Sequence, residues 1–269
     1  MEKKLSHHPI DRRVDLTYDE FMKEYGLPGK PVIISNAINN WEAKKLWTLD
    51  FFREKYGHII VPIFESGKRY ELYETTLGEY IDYILKEEQE DGIFNLADWE
   101  FSRDCPELRE HYQVPNYFQS WLEDAPISLL PALRWIYINQ KNTGSGLHID
   151  YGHTASWNAV ISGKKKWILL NQNESENIYN GAVDAFNPDF KKFPLYTHSQ
   201  TFYGEQSEGD IMYIPSGWWH QVHNEELTIA VTENFINETN YKNCLWPLVS
   251  NIVEYQLEIS KTPEKVQKV

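Results

Sequence analysis

His148, Asp150 and His220 are the residues of this chain whose types and spacing suit them to hold a metal ion. The run Gly146-Leu147-His148-Ile149-Asp150 sits just before an alternating stretch that reads as a strand. Residues two apart on a strand point to one face, so an imidazole and a carboxylate can aim at one point. His220 follows Pro215-Ser216-Gly217-Trp218-Trp219, where a turn feeds another strand. Two histidines and one carboxylate on one side of a metal leave its other positions open, as in non-haem Fe(II) oxygenase sites. A bare His-x-Asp tripeptide is a common accident; the residues that flank this one argue for a site.

The elements that must position these residues begin near Leu133. From there the pattern is short strands broken by Gly and Pro: Arg134 to Ile138, Ser156 to Ser162, Lys165 to Leu170, Asp210 to Ile214, Trp219 to His223 and Thr228 to Phe235. Many short strands punctuated by turns predict an antiparallel barrel or jelly roll. Strand parity sorts the side chains. Lys165 shares a face with Trp167 and Leu169, while Lys164 and Lys166 face the other way. A buried lysine needs a partner, which a dicarboxylate ligand would supply; a solvated charged turn after Gly163 is the plainer alternative. Thr228, Ala230, Thr232 and Asn234 form a small, polar face opposite Ile229, Val231 and Phe235, as the wall of a ligand cavity would. His223 has the opposite parity to His220 and reads as structural, and His153 as a neighbour of the site. Trp218 and Trp219 read as packing residues. The long irregular stretch Asn171 to Phe202 is expected to have a functional role.

Upstream, Thr17 and Thr48 sit where they would cap helices, and Leu77, Tyr80, Ile81 and Ile84 fall on one helical face. Short strands are expected at Pro31 to Ser35 and Ile59 to Ile63. No repeat or low-complexity linker divides the chain. One domain is expected: a mixed N-terminal part over about residues 1–130, a β core over about 131–236 and a helical tail over about 237–269. In the tail Leu248, Ile252, Tyr255 and Ile259 share a helical stripe that either covers the barrel or makes a homodimer contact.

A formal net charge of -14 opposes a general nucleic-acid binder, so no DNA partner is expected. Cys105 and Cys244 give neither a disulfide framework nor a zinc pattern, which points to a reducing compartment. The start Met1-Glu2-Lys3-Lys4-Leu5-Ser6-His7-His8 lacks the apolar core of a signal peptide, and no apolar run reaches membrane-spanning length. An intracellular location, the cytoplasm ahead of the nucleus, is the expectation, with no membrane partner.

The ordered motifs resemble one family. Gly144-Ser145-Gly146-Leu147-His148-Ile149-Asp150, Ser156-Trp157-Asn158-Ala159 and Gly163-Lys164-Lys165-Lys166-Trp167 are similar to one half of a Jumonji-C (JmjC) oxygenase. Glu208 to His220 and Thr228-Ile229-Ala230-Val231-Thr232-Glu233-Asn234-Phe235 are similar to the other half. The nearest group is the small JmjC hydroxylases of the phosphatidylserine-receptor-like type. The resemblance spans residues 110 to 246 closely and the N-terminal part loosely. It implies a mainly β fold with flanking helices, built on a double-stranded β-helix of the cupin superfamily. It also implies Fe(II), with 2-oxoglutarate and O2 as cosubstrates. His148, Asp150 and His220 match the iron ligands, and Lys165 the partner of the distal 2-oxoglutarate carboxylate. Asn158 and Thr232 match residues lining the cosubstrate pocket, and Ser145 falls where this group has a hydroxyl nearby. One departure stands out. Where the family often has a tyrosine for the same carboxylate, this chain has Gly92, so that either Tyr137 or another hydroxyl substitutes, or the pocket is altered.

The function so implied is a 2-oxoglutarate-dependent dioxygenase that hydroxylates a protein side chain, with lysine or arginine favoured by the acidic composition. The alternatives are an oxygenase acting on a small molecule or an RNA base, an inactive JmjC-fold binding protein, and a zinc cupin isomerase. Hydroxylation and N-demethylation are not separated by the sequence.

Overall fold

The computed structural model describes residues 7–65, 71–86, 93–96, 98–123, 132–247 and 249–250. Its N-terminal part mixes short strands and helices: β1 (His7–Pro9), β2 (Asp11–Val14), α1 (Tyr18–Phe21), β3 (Val32–Ser35), α2 (Ala43–Leu46), α3 (Leu49–Tyr56), β4 (Ile60–Glu65), β5 (Leu72–Thr76), α4 (Leu77–Ile84), β6 (Phe94–Leu96) and α5 (Phe101–Asp104). The helix starts follow from their caps. Thr17 and Thr76 each accept a backbone N–H three residues on, and Glu20 and Glu79 return the bond to the cap. Each pair satisfies two donors that a helix start otherwise leaves open. Thr48 caps α3 by accepting from Phe51 N. The stripe Leu77, Tyr80, Ile81 and Ile84 is buried, as its spacing predicts.

The second half is the β core: β7 (Arg134–Asn139), β8 (Gly144–His148), β9 (Ala155–Ser162), β10 (Lys164–Leu170), β11 (Thr201–Ser207), β12 (Ile211–Ile214), β13 (Trp219–Asn224) and β14 (Thr228–Phe235). Two sheets share these strands. One runs β2-β3-β12-β9-β14-β7 and the other β1-β11-β10-β13-β8; a third, smaller sheet runs β5-β4-β6. Within β7–β14 the chain crosses between the two large sheets at almost every turn, and all pairings among these eight strands are antiparallel. This is a double-stranded β-helix, mainly β with flanking helices, as expected. β1 and β2, which the sequence reading did not anticipate, extend the two sheets by parallel pairing with β11 and β3.

Strand parity decides what lies inside. On β9 and β14, Trp157, Ala159, Ile161, Ile229, Val231 and Phe235 point outward into the large aromatic core shared with Phe21, Phe52, Tyr80 and Phe118. Ser156, Asn158, Thr232 and Asn234 alternate with them and line an interior cavity. The barrel's other interior half is apolar: Ile33, Trp167, Leu169, Met212, Ile214 and Trp218 pack together there. Polar cavity and dry core therefore sit in one barrel.

The stretch after β10 departs from expectation. Ile178, Val183, Ala185 and Tyr196 pack over Leu147, Ile168 and Leu170 on the outer face of the five-stranded sheet. No residue between Asn171 and Gln200 lines the cavity. The irregular stretch is a packed cover, because its few apolar residues meet the outward parity of β10. Trp219 joins the same cover and donates its indole N–H to Ser175 Oγ, so both tryptophans are packing residues. Residues 241–247 are helical. The stripe at Leu248, Ile252, Tyr255 and Ile259 lies outside the described residues, as does Gly92. No described helix is long and apolar enough to cross a membrane.

Candidate metal centre

His148 is the last residue of β8, and His220 lies on the adjacent β13, directly opposite in register. Their ring centroids are 4.2 Å apart. The close approach of these strands depends on Gly144, where a Cβ would lie 1.9 Å from the carbonyl oxygen of Val222. Gly217, at φ 73°, makes the left-handed turn that leads into β13. Asp150 lies two residues beyond the end of β8 with extended backbone, at φ -62° and ψ 150°. The parity argument thus finds the right face although β8 ends before the carboxylate. The ligand atoms of His148, Asp150 and His220 all lie within 4.8 Å of one another, and His220 Nε2 is 3.6 Å from Asp150 Oδ1.

Neighbouring groups orient each member. His148 Nδ1 faces the Gly146 carbonyl at 2.8 Å, and His220 Nδ1 faces the Trp218 carbonyl at 3.2 Å. A ring nitrogen facing a carbonyl is the donor, so in the neutral imidazole Nε2 is the ligating atom. The Ser156 hydroxyl donates to Asp150 Oδ2 at 2.6 Å, leaving Oδ1 for an ion. Three neutral or anionic donors on one side of an open cavity fit a divalent transition metal with free coordination positions.

The cavity behind the triad measures about 360 Å³. Lys165 enters it from β10, 4% exposed, with no hydrogen-bonding or anionic partner among the described residues. Loss of hydration pulls its ammonium down to about 8. The flanking Lys164 and Lys166 turn outward to Glu205 and Glu225, as parity predicts. Asn158 donates to Thr232 Oγ1, while its own Oδ1 has no partner. Ser145 Oγ, Asn139 Oδ1 and Asn234 Oδ1 are also buried and unpaired among the described residues, and the four side chains line the cavity. Buried polar groups are normally paired, so these orphans mark a place built for a polar ligand. A dicarboxylate suits two of the groups here: its charge would match Lys165 and its oxygens could accept from Ser145.

The structure therefore brings every site residue read from the sequence to one cavity: His148, Asp150, His220, Lys165, Asn158, Thr232, Ser145 and Tyr137. Tyr137 differs from expectation in one respect. Its ring lies 5.7 Å from Lys165 Nζ, and its hydroxyl donates to Asp98 Oδ1 at 3.0 Å. His223 is not in the cavity wall, and its ring lies tilted against Phe186, 5.7 Å between centroids. His153 meets Ser216 and Cys244 through its carbonyl oxygen. Sequence reasoning missed the orienting role of Ser156, although its parity with Asn158 was available. It also missed Asp98 and Trp135, which line the cavity. Asp98 lies in an irregular segment that carries no periodicity to read.

Fold and site together define a metal-binding double-stranded β-helix of the cupin class. Residues 18–241 match the cupin-like domain family, and the chain belongs to that family. It is 32% identical over 246 residues to the lysine-specific demethylase JMJ21 of Arabidopsis thaliana, covering 86% of this chain and 26% of that protein. It is 29% identical to the bifunctional arginine demethylase and lysyl-hydroxylase psr-1 of Caenorhabditis elegans, covering 88% and 63%. It is 28% identical to the 2-oxoglutarate and iron-dependent oxygenase JMJD4 of Homo sapiens, covering 91% and 65%. The chain thus spans from about a quarter to just under two thirds of the length of these relatives.

Proposed function

We propose that this chain is an Fe(II)- and 2-oxoglutarate-dependent oxygenase that hydroxylates a protein side chain, with lysine or arginine the residue modified. One observation carries the reading: a His148–Asp150–His220 set shares a cavity with a buried ammonium, Lys165, that has no counter-charge among the described residues. Bound Fe(II), with 2-oxoglutarate and O2, supplies the oxidation of an unactivated C–H bond, with succinate and CO2 as the other products. The chain supplies position and environment. The carbonyls of Gly146 and Trp218 hold the two imidazoles in the ligating tautomer, and Ser156 holds the carboxylate. Lys165 binds and orients the distal carboxylate of the cosubstrate. Trp167, Ile214 and Val222 in the cavity wall keep water from the reacting centre.

The substrate reading rests on the acidic chain, which favours a basic protein segment, and on the activities named for the relatives. Removal of an N-methyl group begins with the same C–H hydroxylation, so one site serves either outcome. An intracellular location is supported by Cys105 and Cys244, both buried as free thiols. The experiment is mass spectrometry of intracellular proteins treated with the iron-loaded chain and 2-oxoglutarate, with succinate measured in parallel. The expected result is a gain of one oxygen on a lysine or arginine, matched by succinate release. Succinate release without any modified protein residue would move the substrate to another class; no succinate under any condition would defeat the oxygenase reading.

A further inference from the structure

Asp98 and Tyr137 stand together in the cavity wall, and neither is explained by the metal centre. A phenol has a single proton to donate, and Tyr137 donates it to Asp98. While that bond stands, the hydroxyl proton is not available to a carboxylate resting on Lys165, although the same ring borders the Lys165 ammonium. Asp98 is also held at a price in backbone strain. Its φ of 36° lies in the left-handed region, which a non-glycine residue occupies at a cost. Its neighbour Trp99 forms a β-bridge with Ile136, the residue before Tyr137, and accepts the Ile136 N–H at 3.2 Å. The segment is thereby pinned to β7, which keeps the Asp98 carboxylate at the Tyr137 hydroxyl.

We propose that Asp98 sets the affinity of the cavity for its carboxylate cosubstrate by keeping the Tyr137 hydroxyl proton for itself, an inference that rests on the 2-oxoglutarate reading above. Lys165 is then the principal holder of the distal carboxylate, and Asp98 is a positioning residue that acts through Tyr137. The expectation that Tyr137 replaces the missing family tyrosine is thereby inverted: the hydroxyl is present, but committed elsewhere.

The test is a calorimetric titration of 2-oxoglutarate into the full chain loaded with Mn(II). It uses the wild type, Asp98→Gly, Asp98→Asn, Tyr137→Phe and the Asp98→Gly/Tyr137→Phe pair. Glycine is the chosen truncation because it takes a positive φ without strain, so a folding loss is avoided. Asp98→Gly is expected to lower Kd by about fivefold to tenfold, the scale of one ordinary hydrogen bond. Asp98→Asn keeps an acceptor for the hydroxyl and should gain less. In the Tyr137→Phe background, Asp98→Gly should gain less than about twofold, because no hydroxyl is left to release. Equal gains with and without the hydroxyl, or unchanged or weaker binding in both Asp98 variants, overturn the proposal. No binding in the wild type, or binding indifferent to Lys165→Ala, defeats the cosubstrate reading instead.

Discussion

Lys165 carries a sharp conflict, a cation buried with no counter-charge among the described residues. Its folded value of about 8 lies below that of an unfolded lysine. The charged form is therefore penalised in the fold, so the destabilisation is complete below pH 8 and is relieved as pH rises from there to the unfolded value. Lys165→Met should raise the stability of the metal-free protein at pH 7 by roughly 3 kcal/mol, with the gap closing by about pH 10.5. The same variant should lose 2-oxoglutarate binding, and wild-type affinity should fall above pH 8 as the ammonium deprotonates. Chemical denaturation at several pH values, beside calorimetry, checks both halves. Lys164→Ala and Lys166→Ala should change neither binding nor KM. His148→Ala, Asp150→Ala and His220→Ala should each lower Fe(II) affinity at least about a hundredfold, as loss of one of three protein ligands implies. An anaerobic metal titration reads this, and near-native affinity in any one removes that residue from the centre. These residues were legible in the sequence because each sits on, or just beyond, a strand whose alternation fixes its face. Asp98 was not, since its role comes from contact with a residue distant in the chain.

At the scale of elements, the centre depends on how closely β8 meets β13. At Gly144 the two strands leave no room for a side chain, and an added Cβ would meet backbone rather than a movable side chain. Gly144→Ala should therefore spread the two strands and separate His148 from His220. The expected result is a loss of about 1–3 kcal/mol in stability, together with weakened metal binding. A melting curve and a metal titration on the same sample test it; a destabilised variant with native metal affinity would show that the strands do not set the centre. The core strands were readable from alternation and turn residues, and the helix starts from their capping threonines. β1 and β2 were not, because Pro9, Arg12 and Arg13 give no strand pattern and the pairing partners lie elsewhere. The segment after β10 misled for a related reason. Its length suggested function, while its scattered Ile178, Val183 and Tyr196 gain meaning only against the outer face of β10.

For the whole molecule, charge and connectivity matter most. If the net charge of -14 steers a basic segment, kcat/KM for that substrate should fall several-fold as salt rises from about 0.05 to 0.5 M, where screening shortens. KM for 2-oxoglutarate, whose proposed site is inside the barrel, should move much less; a kcat/KM indifferent to salt would remove the steering argument. A different consequence follows from the register that sets His148 opposite His220. The two are remote along the chain and become neighbours only when the strands before and after the long cover have closed on each other. A polypeptide still seeking its native topology cannot assemble this ligand set, since long-range pairings are the late and slow steps of such folds. Metal should thus clamp the finished barrel without seeding it. Bound ion is expected to slow unfolding and raise the melting temperature, while the refolding rate from denaturant stays the same with and without it.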